Sequence, residues 1–147
     1  MPMLHNYVLI AGLIAWSLAQ ILKVPLEYIR THRWNWALLI APGGMPSSHT
    51  ALMVGVSHAI GLFDGYNTSL FALSVALSMV VIYDATNIRR QAGKHAELIN
   101  AMIRDLAAGH PLKEEQLREV LGHTPLEVLG GFLMGLIIAQ ITWWLAG

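Results

Sequence analysis

The stretch GGMPSSHT, Gly43 to Thr50, interrupts a chain that is otherwise apolar over most of its length. Two glycines, a proline, two serines and a histidine contribute nothing to an apolar core. They suit the start of a helix whose first N–H groups face something polar. Those groups have no acceptor within the helix, and the aligned peptide dipoles leave partial positive charge at that end. Immediately downstream, TALMVGVSHAIGLF runs to Phe63 without an acidic residue, lysine or arginine. The polar stretch therefore opens an apolar helix.

The surroundings of that helix follow from composition. Of 147 residues, 55% are apolar and 12% are charged, about half the roughly 25% charge of a soluble domain. All nine basic residues fall in two segments: Lys23, Arg30 and Arg33, then Arg89, Arg90, Lys94, Arg104, Lys113 and Arg118. The fold class is accordingly all-α, an integral membrane helix bundle forming a single membrane domain over residues 1–147. The absence of cysteine excludes disulfides and thiolate metal sites. A net charge of zero argues against nucleic acid as a partner. The first apolar run is too long for a removed signal peptide and lacks a basic leader and a small-residue cleavage site.

About four spans are expected. The first is Tyr7 to Leu22, followed by a polar strip carrying Lys23, Glu27, Arg30, His32 and Arg33. Trp34 to Ala41 is far shorter than the about 20 residues that cross a bilayer, so it reads as a re-entrant or interfacial half-helix. Ser47 to Phe63 is a marginal second span of roughly 25 Å at about 1.5 Å per residue. SLFALSVALSMVVIY returns the chain to Asp84, and Pro125 to Ala146 is the fourth and strongest span. Residues 85–124 form a polar cytoplasmic helical connection. There Leu98, Ile99, Met102, Ile103 and Leu106 recur at helical spacing, as in an amphipathic helix, and PLKEEQLREVL, from Pro111, can open another. Because cytoplasmic loops are enriched in Lys and Arg, both basic segments belong inside. The N- and C-termini then lie outside, and PSSH and GHTPLE meet at the cytoplasmic face.

Three clusters could carry chemistry. Pro46-Ser47-Ser48-His49 offers helix N–H groups and hydroxyls to a phosphate, with Gly43 and Gly44 permitting close backbone approach; the alternative is that Ser47 or Ser48 is a plain helix cap. His123 and Glu127 stand four residues apart at the mouth of the last span, where a carboxylate can fix the tautomer of an imidazole. Thr124 to Glu127 also fits a capping box, and the two roles are compatible. Arg89, Arg90 and Lys94 could grip a phosphate, or could simply follow the basic bias of inner loops. Asp84 is placed to pair with one of these arginines. Gly131 and Gly135 form a GxxxG, a close-packing motif of membrane helices.

Together PSSH, RRQAGK and LGHTPLEVLGG make the chain resemble the type-2 phosphatidic acid phosphatase superfamily, and within it the small divergent branch of acid phosphatase/vanadium-dependent haloperoxidase-related membrane proteins. PSSH parallels that superfamily's P-S-G-H, and His123, Glu127 and Gly131 reproduce the spacing of its final motif. The resemblance implies a metal-independent lipid-phosphate phosphatase that needs no cofactor. It makes His123 the nucleophile that forms a phosphohistidine, Glu127 its orienting acid and His49 the proton donor to the leaving alkoxide. Ser47, Ser48, Arg89, Arg90, Lys94 and Arg118 would bind phosphate, supported by Asp84 and Gly44. The chain departs from the pattern in three ways. The first motif, a Lys followed seven residues later by Arg-Pro, is absent upstream of PSSH, so Arg30, Arg33 or the Arg89/Arg90/Lys94 group must replace it. Arg118 stands one residue too close to His123, and Glu127 replaces Asp.

The expected partners are a phosphorylated membrane lipid and the bilayer of a bacterial inner membrane. A homo-oligomer could supply packing surface, because the superfamily core has about six helices. The alternative is a protein that binds or transports phosphate-headgroup lipids without turnover, since broken helices aimed at an anion are a transporter device. In a third reading, every polar motif is a cap or an anchor in a structural membrane component.

Overall fold

The computed structural model describes residues 6–41, 43–107 and 123–146, with the side chains of residues 88–90, 105 and 107 outside that description. Five α-helices occur among them: α1 Tyr7–Thr31, α2 Ser48–Phe63, α3 Ser69–Tyr83, α4 Arg89–Ala107 and α5 Pro125–Ala146. A π-helical turn, Asp84–Ile88, joins α3 to α4. The span boundaries expected for α3 and α5 are reproduced. The first helix runs further than expected, through Pro25 and the polar strip to Thr31. Lys23, Glu27 and Arg30 are good helix formers, and the turn ends only where His32 adopts φ +54 and gives its N–H to the Tyr28 carbonyl at 2.8 Å. The expected half-helix contracts to one 3₁₀ turn, Trp36–Leu39, lying against α1. The helix expected from Pro111 lies outside the described residues.

Short polar residues start the helices. Asn6 accepts from the Leu9 N–H at 3.0 Å, Ser47 from Thr50 at 3.3 Å, and Thr68 from Phe71 at 3.2 Å. At α5 the capping box forms in both directions: Thr124 Oγ1 accepts from the Glu127 N–H at 3.3 Å, and Glu127 Oε2 from the Thr124 N–H at 3.2 Å. Each bond satisfies an N–H that the helix itself cannot.

Helix α2 is the hub, packed against α5, α1 and α3, while α1 also touches α5. By length and composition α1, α5 and the continuous α3–α4 rod can each cross a membrane, whereas α2 is apolar but shorter. Its 16 residues reach roughly 24 Å at about 1.5 Å each, less than the about 30 Å of a hydrocarbon core. An end that stops short inside the bilayer is tolerable only because neighbouring helices enclose it. Lipid tails supply no hydrophobic drive between spans, so contact rests on close packing of small residues. Ala11, Ala15 and Ala19 of α1 meet Ala51 and Ala59 of α2 and Ala139 of α5, all fully buried. Hydroxyls join α3 to α2, with Ser57 and Ser78 at 2.9 Å. The other side of α3, including Leu73, Leu77 and Val80, is exposed.

The GxxxG of α5 has a definite counterpart. A Cβ on Gly131 would collide with the Ser47 carbonyl oxygen, and one on Gly135 would sit 2.8 Å from the Ala51 carbonyl oxygen and the Gly55 nitrogen. Backbone cannot yield by changing rotamer. Gly131→Ala is therefore expected to lower stability by about 1–3 kcal/mol, seen as earlier thermal unfolding in detergent. Gly130→Ala, whose Cβ would meet Pro46 Cβ at an ordinary 3.4 Å, is expected to unfold like wild type. Equal unfolding of the two variants would contradict this packing.

Candidate functional site

The end of α1, the start of α2, the π-helical turn after α3 and the start of α5 converge at one end of the bundle. Backbone hydrogen bonds hold them in register. The Ser47 N–H donates to the Glu127 carbonyl at 2.9 Å, and the His123 N–H donates to the Ala85 carbonyl at 2.9 Å. A π-helical turn widens the hydrogen-bond ladder, a device frequent at functional sites. Here the Ala85 carbonyl receives the residue that precedes α5 by two positions.

His123 is buried, 4% exposed, and its Nδ1 lies 2.8 Å from Glu127 Oε2. An ionised carboxylate only accepts, so Nδ1 carries the proton and the ring presents its lone pair at Nε2. Glu127 does this while completing the capping box, so its orienting and capping roles coexist. The His49 ring is tilted at 59° to the His123 ring, with centroids 5.9 Å apart. The two imidazoles come from different parts of the chain, one in the first turn of α2 and one in the segment that leads into α5.

The two serines divide their work. Ser47, fully buried, accepts from both the N–H and the hydroxyl of Thr50, at 3.3 and 3.0 Å; it is the helix cap. Ser48 receives a hydrogen bond of 3.4 Å from the ammonium of Lys23. Lys23 is 2% exposed and close enough to Glu127 to interact with its charge. An ammonium withdrawn from water costs several kcal/mol unless it is paired. Among the described residues this one makes a single long hydrogen bond with three donors, which leaves donors for an anion. Gly44 supports it: at φ +81, its missing Cβ would lie 3.6 Å from Lys23 Cδ.

Lys23 was not among the site residues expected from sequence, and the spacing that could have identified it was present. Lys23 and Arg30 are seven residues apart, the step of the superfamily's first motif, with Thr31 in place of the proline. Only the lysine reaches the cluster; Arg30 is exposed and pairs with Glu27 at 3.2 Å. Arg33 is also exposed. Of the other expected residues, Asp84 opens the π-helical turn, half-buried, and Lys94 is exposed on α4. Arg89 and Arg90 begin α4, with side chains outside the described set, and Arg118 lies outside the described residues. The Ala85 carbonyl could not be found from residue type, because any residue supplies it.

The Divergent PAP2 family matches residues 4–138 of the chain. A protein of Bacillus subtilis (strain 168), named uncharacterized membrane protein YuiD, is 36% identical over 152 residues, covering 96% of each chain. No solved structure matches.

Proposed function

The chain belongs to the Divergent PAP2 family, and from that premise we propose that it is a lipid-phosphate phosphatase working through a phosphohistidine, without a metal. The observation that carries this reading is the 2.8 Å contact between His123 Nδ1 and Glu127, with the centroid of the His49 ring 5.9 Å from that of His123. Nε2 of His123 attacks phosphorus as the ester bond to the lipid alkoxide breaks, and His49 gives that alkoxide its proton. Water then attacks phosphohistidine, His49 takes the proton from water, and inorganic phosphate leaves. Glu127 stabilises the imidazolium character that develops when Nε2 bonds to phosphorus. Lys23, Ser48 and the first-turn N–H groups of α2 oppose the charge on the phosphoryl oxygens. Arg89, Arg90, Lys94 and Arg118 complete the proposed phosphate site, and Asp84 supports it.

A lipid is the substrate class favoured by depth. Lys23 lies eight residues before the end of α1, roughly 12 Å along its axis at about 1.5 Å per residue, and α2, with 16 residues, is shorter than a hydrocarbon core. The bias of Lys and Arg toward inner loops supports a site on the cytoplasmic face of a bacterial inner membrane.

The test is phosphate release by purified protein in detergent–lipid micelles, with chelator present, from phosphatidic acid, phosphatidylglycerophosphate and polyprenyl phosphates and diphosphates. Release that survives chelation is the expected result, with an acid-labile phosphoenzyme after rapid quenching. Folded protein that binds these lipids and releases nothing would replace this reading with binding or transport.

A further inference from the structure

The groups that would attack and hold the phosphate lie beneath the surface: Lys23, Ser48 and His123 are only 2%, 3% and 4% exposed. The neighbouring segment at the same end of the bundle is the reverse. Between α1 and α2, Trp34 is 56% exposed, Trp36 64% and Ile40 89%. This segment lies over the Lys23 side of the site. The Leu39 carbonyl accepts from Gln20 Nε2 at 2.9 Å, one turn before Lys23 on α1. Leu38 Cδ2 comes within 3.9 Å of where a Cβ of Gly44 would stand, against the stem of Lys23.

We propose that residues 34–41 are an interfacial lid, seated in the boundary between headgroups and acyl chains, that admits a lipid-borne phosphate to the site from the bilayer side. Three features identify the bilayer as the occupant of this exposed face. Tyr28, Trp34 and Trp36 stack in series at 4.4 and 5.5 Å, and tryptophan and tyrosine concentrate at membrane interfaces. The exposed side chains of Arg30 and Arg33 flank the stack and complement anionic headgroups. The segment also continues directly from a membrane-spanning helix.

The same segment is built to move. Gly43 and Gly44, at φ +91 and +81, occupy a region open to glycine without strain and link the lid to α2. The Gln20 latch is half made: its Nε2 donates to Leu39, while its Oε1 is buried without a hydrogen-bond partner among the described residues. A buried unpaired acceptor is unfavourable, so opening loses little from this contact.

The inference rests on the phosphatase reading for its substrate, and its tests separate the two. The chain has no cysteine, so Ser48→Cys introduces a single thiol at the site. In phosphatidylcholine–phosphatidylglycerol vesicles, a bilayer-partitioning maleimide is expected to label it about tenfold faster than a charged, water-soluble one, and W36E/I40E to erase that preference. Faster labelling by the charged reagent would overturn lateral access. With Trp16, Trp143 and Trp144 changed to phenylalanine, the fluorescence of Trp34 and Trp36 is expected to fall about twofold on brominated acyl chains. Absence of quenching would overturn the interfacial seat. In turnover, W36E/I40E is expected to slow hydrolysis of vesicle-borne phosphatidic acid about tenfold and leave p-nitrophenyl phosphate unaffected. A parallel loss on both substrates would overturn the lid. A protein that hydrolyses neither ester but shows the labelling preference and the quenching refutes the phosphatase reading and retains the lid.

Discussion

His123→Ala is expected to reduce phosphate release by about 10³-fold or more and to eliminate the acid-labile phosphoenzyme. Loss of a nucleophile removes the covalent route entirely, so what remains is only the electrostatic help of the surrounding donors. The fold should survive. Glu127 keeps its bond from the Thr124 N–H at 3.2 Å, and the backbone N–H at position 123 still reaches the Ala85 carbonyl. Affinity for lipid phosphate is expected to change little, because Lys23, Ser48 and the α2 amides are untouched. The measurement is release from phosphatidic acid alongside equilibrium binding and a helical circular-dichroism signal. Undiminished release by folded His123→Ala protein would eliminate the phosphohistidine mechanism.

Lys23→Met separates function from stability by moving them in opposite directions. If Lys23 opposes charge developing on the phosphoryl oxygens, its removal is expected to cost about 10²–10³-fold in rate, the range for losing one such donor in a water-poor site. Stability, by contrast, is expected to hold or to rise. Replacing a buried charge with an apolar side chain of similar length removes a desolvation penalty, and unbranched methionine can still fill the space beside Gly44. A lysine kept only for structure would give unchanged turnover together with altered unfolding, and that pair of results would remove Lys23 from the site.

The contacts legible in the sequence are local ones. Thr124, Glu127 and His123 lie within five consecutive positions, so helix geometry alone brings the carboxylate to both the cap and the imidazole. A serine cap at Ser47 or Ser48 and Pro125 as the start of the last span are likewise decided within one turn, and the structure selects Ser47 as the cap. The end of α1 is not legible from hydropathy, because charged residues suggest a loop yet are good helix formers and continue the helix to Thr31. That the segment from Trp34 forms one 3₁₀ turn and not a half-helix is not legible for a related reason: a short apolar run has no period long enough to distinguish a helix from an interfacial turn.

The amino-acid sequence by itself determined that this is an all-α membrane chain, that its basic residues fall in two segments, and that Glu127 stands one helical turn from His123. The tertiary structure decided that the His49 ring lies beside that of His123, that Lys23 reaches Ser48 from a different helix, and that the Ala85 carbonyl seats the histidine backbone. The division has a physical cause. In a bilayer, hydrophobicity tells a helix to span but not which face to pack, since lipid and protein interior are equally apolar. The choice of face is made by steric fit between small residues such as Gly131 and the Ser47 carbonyl, a property of two surfaces in contact and not of either segment alone.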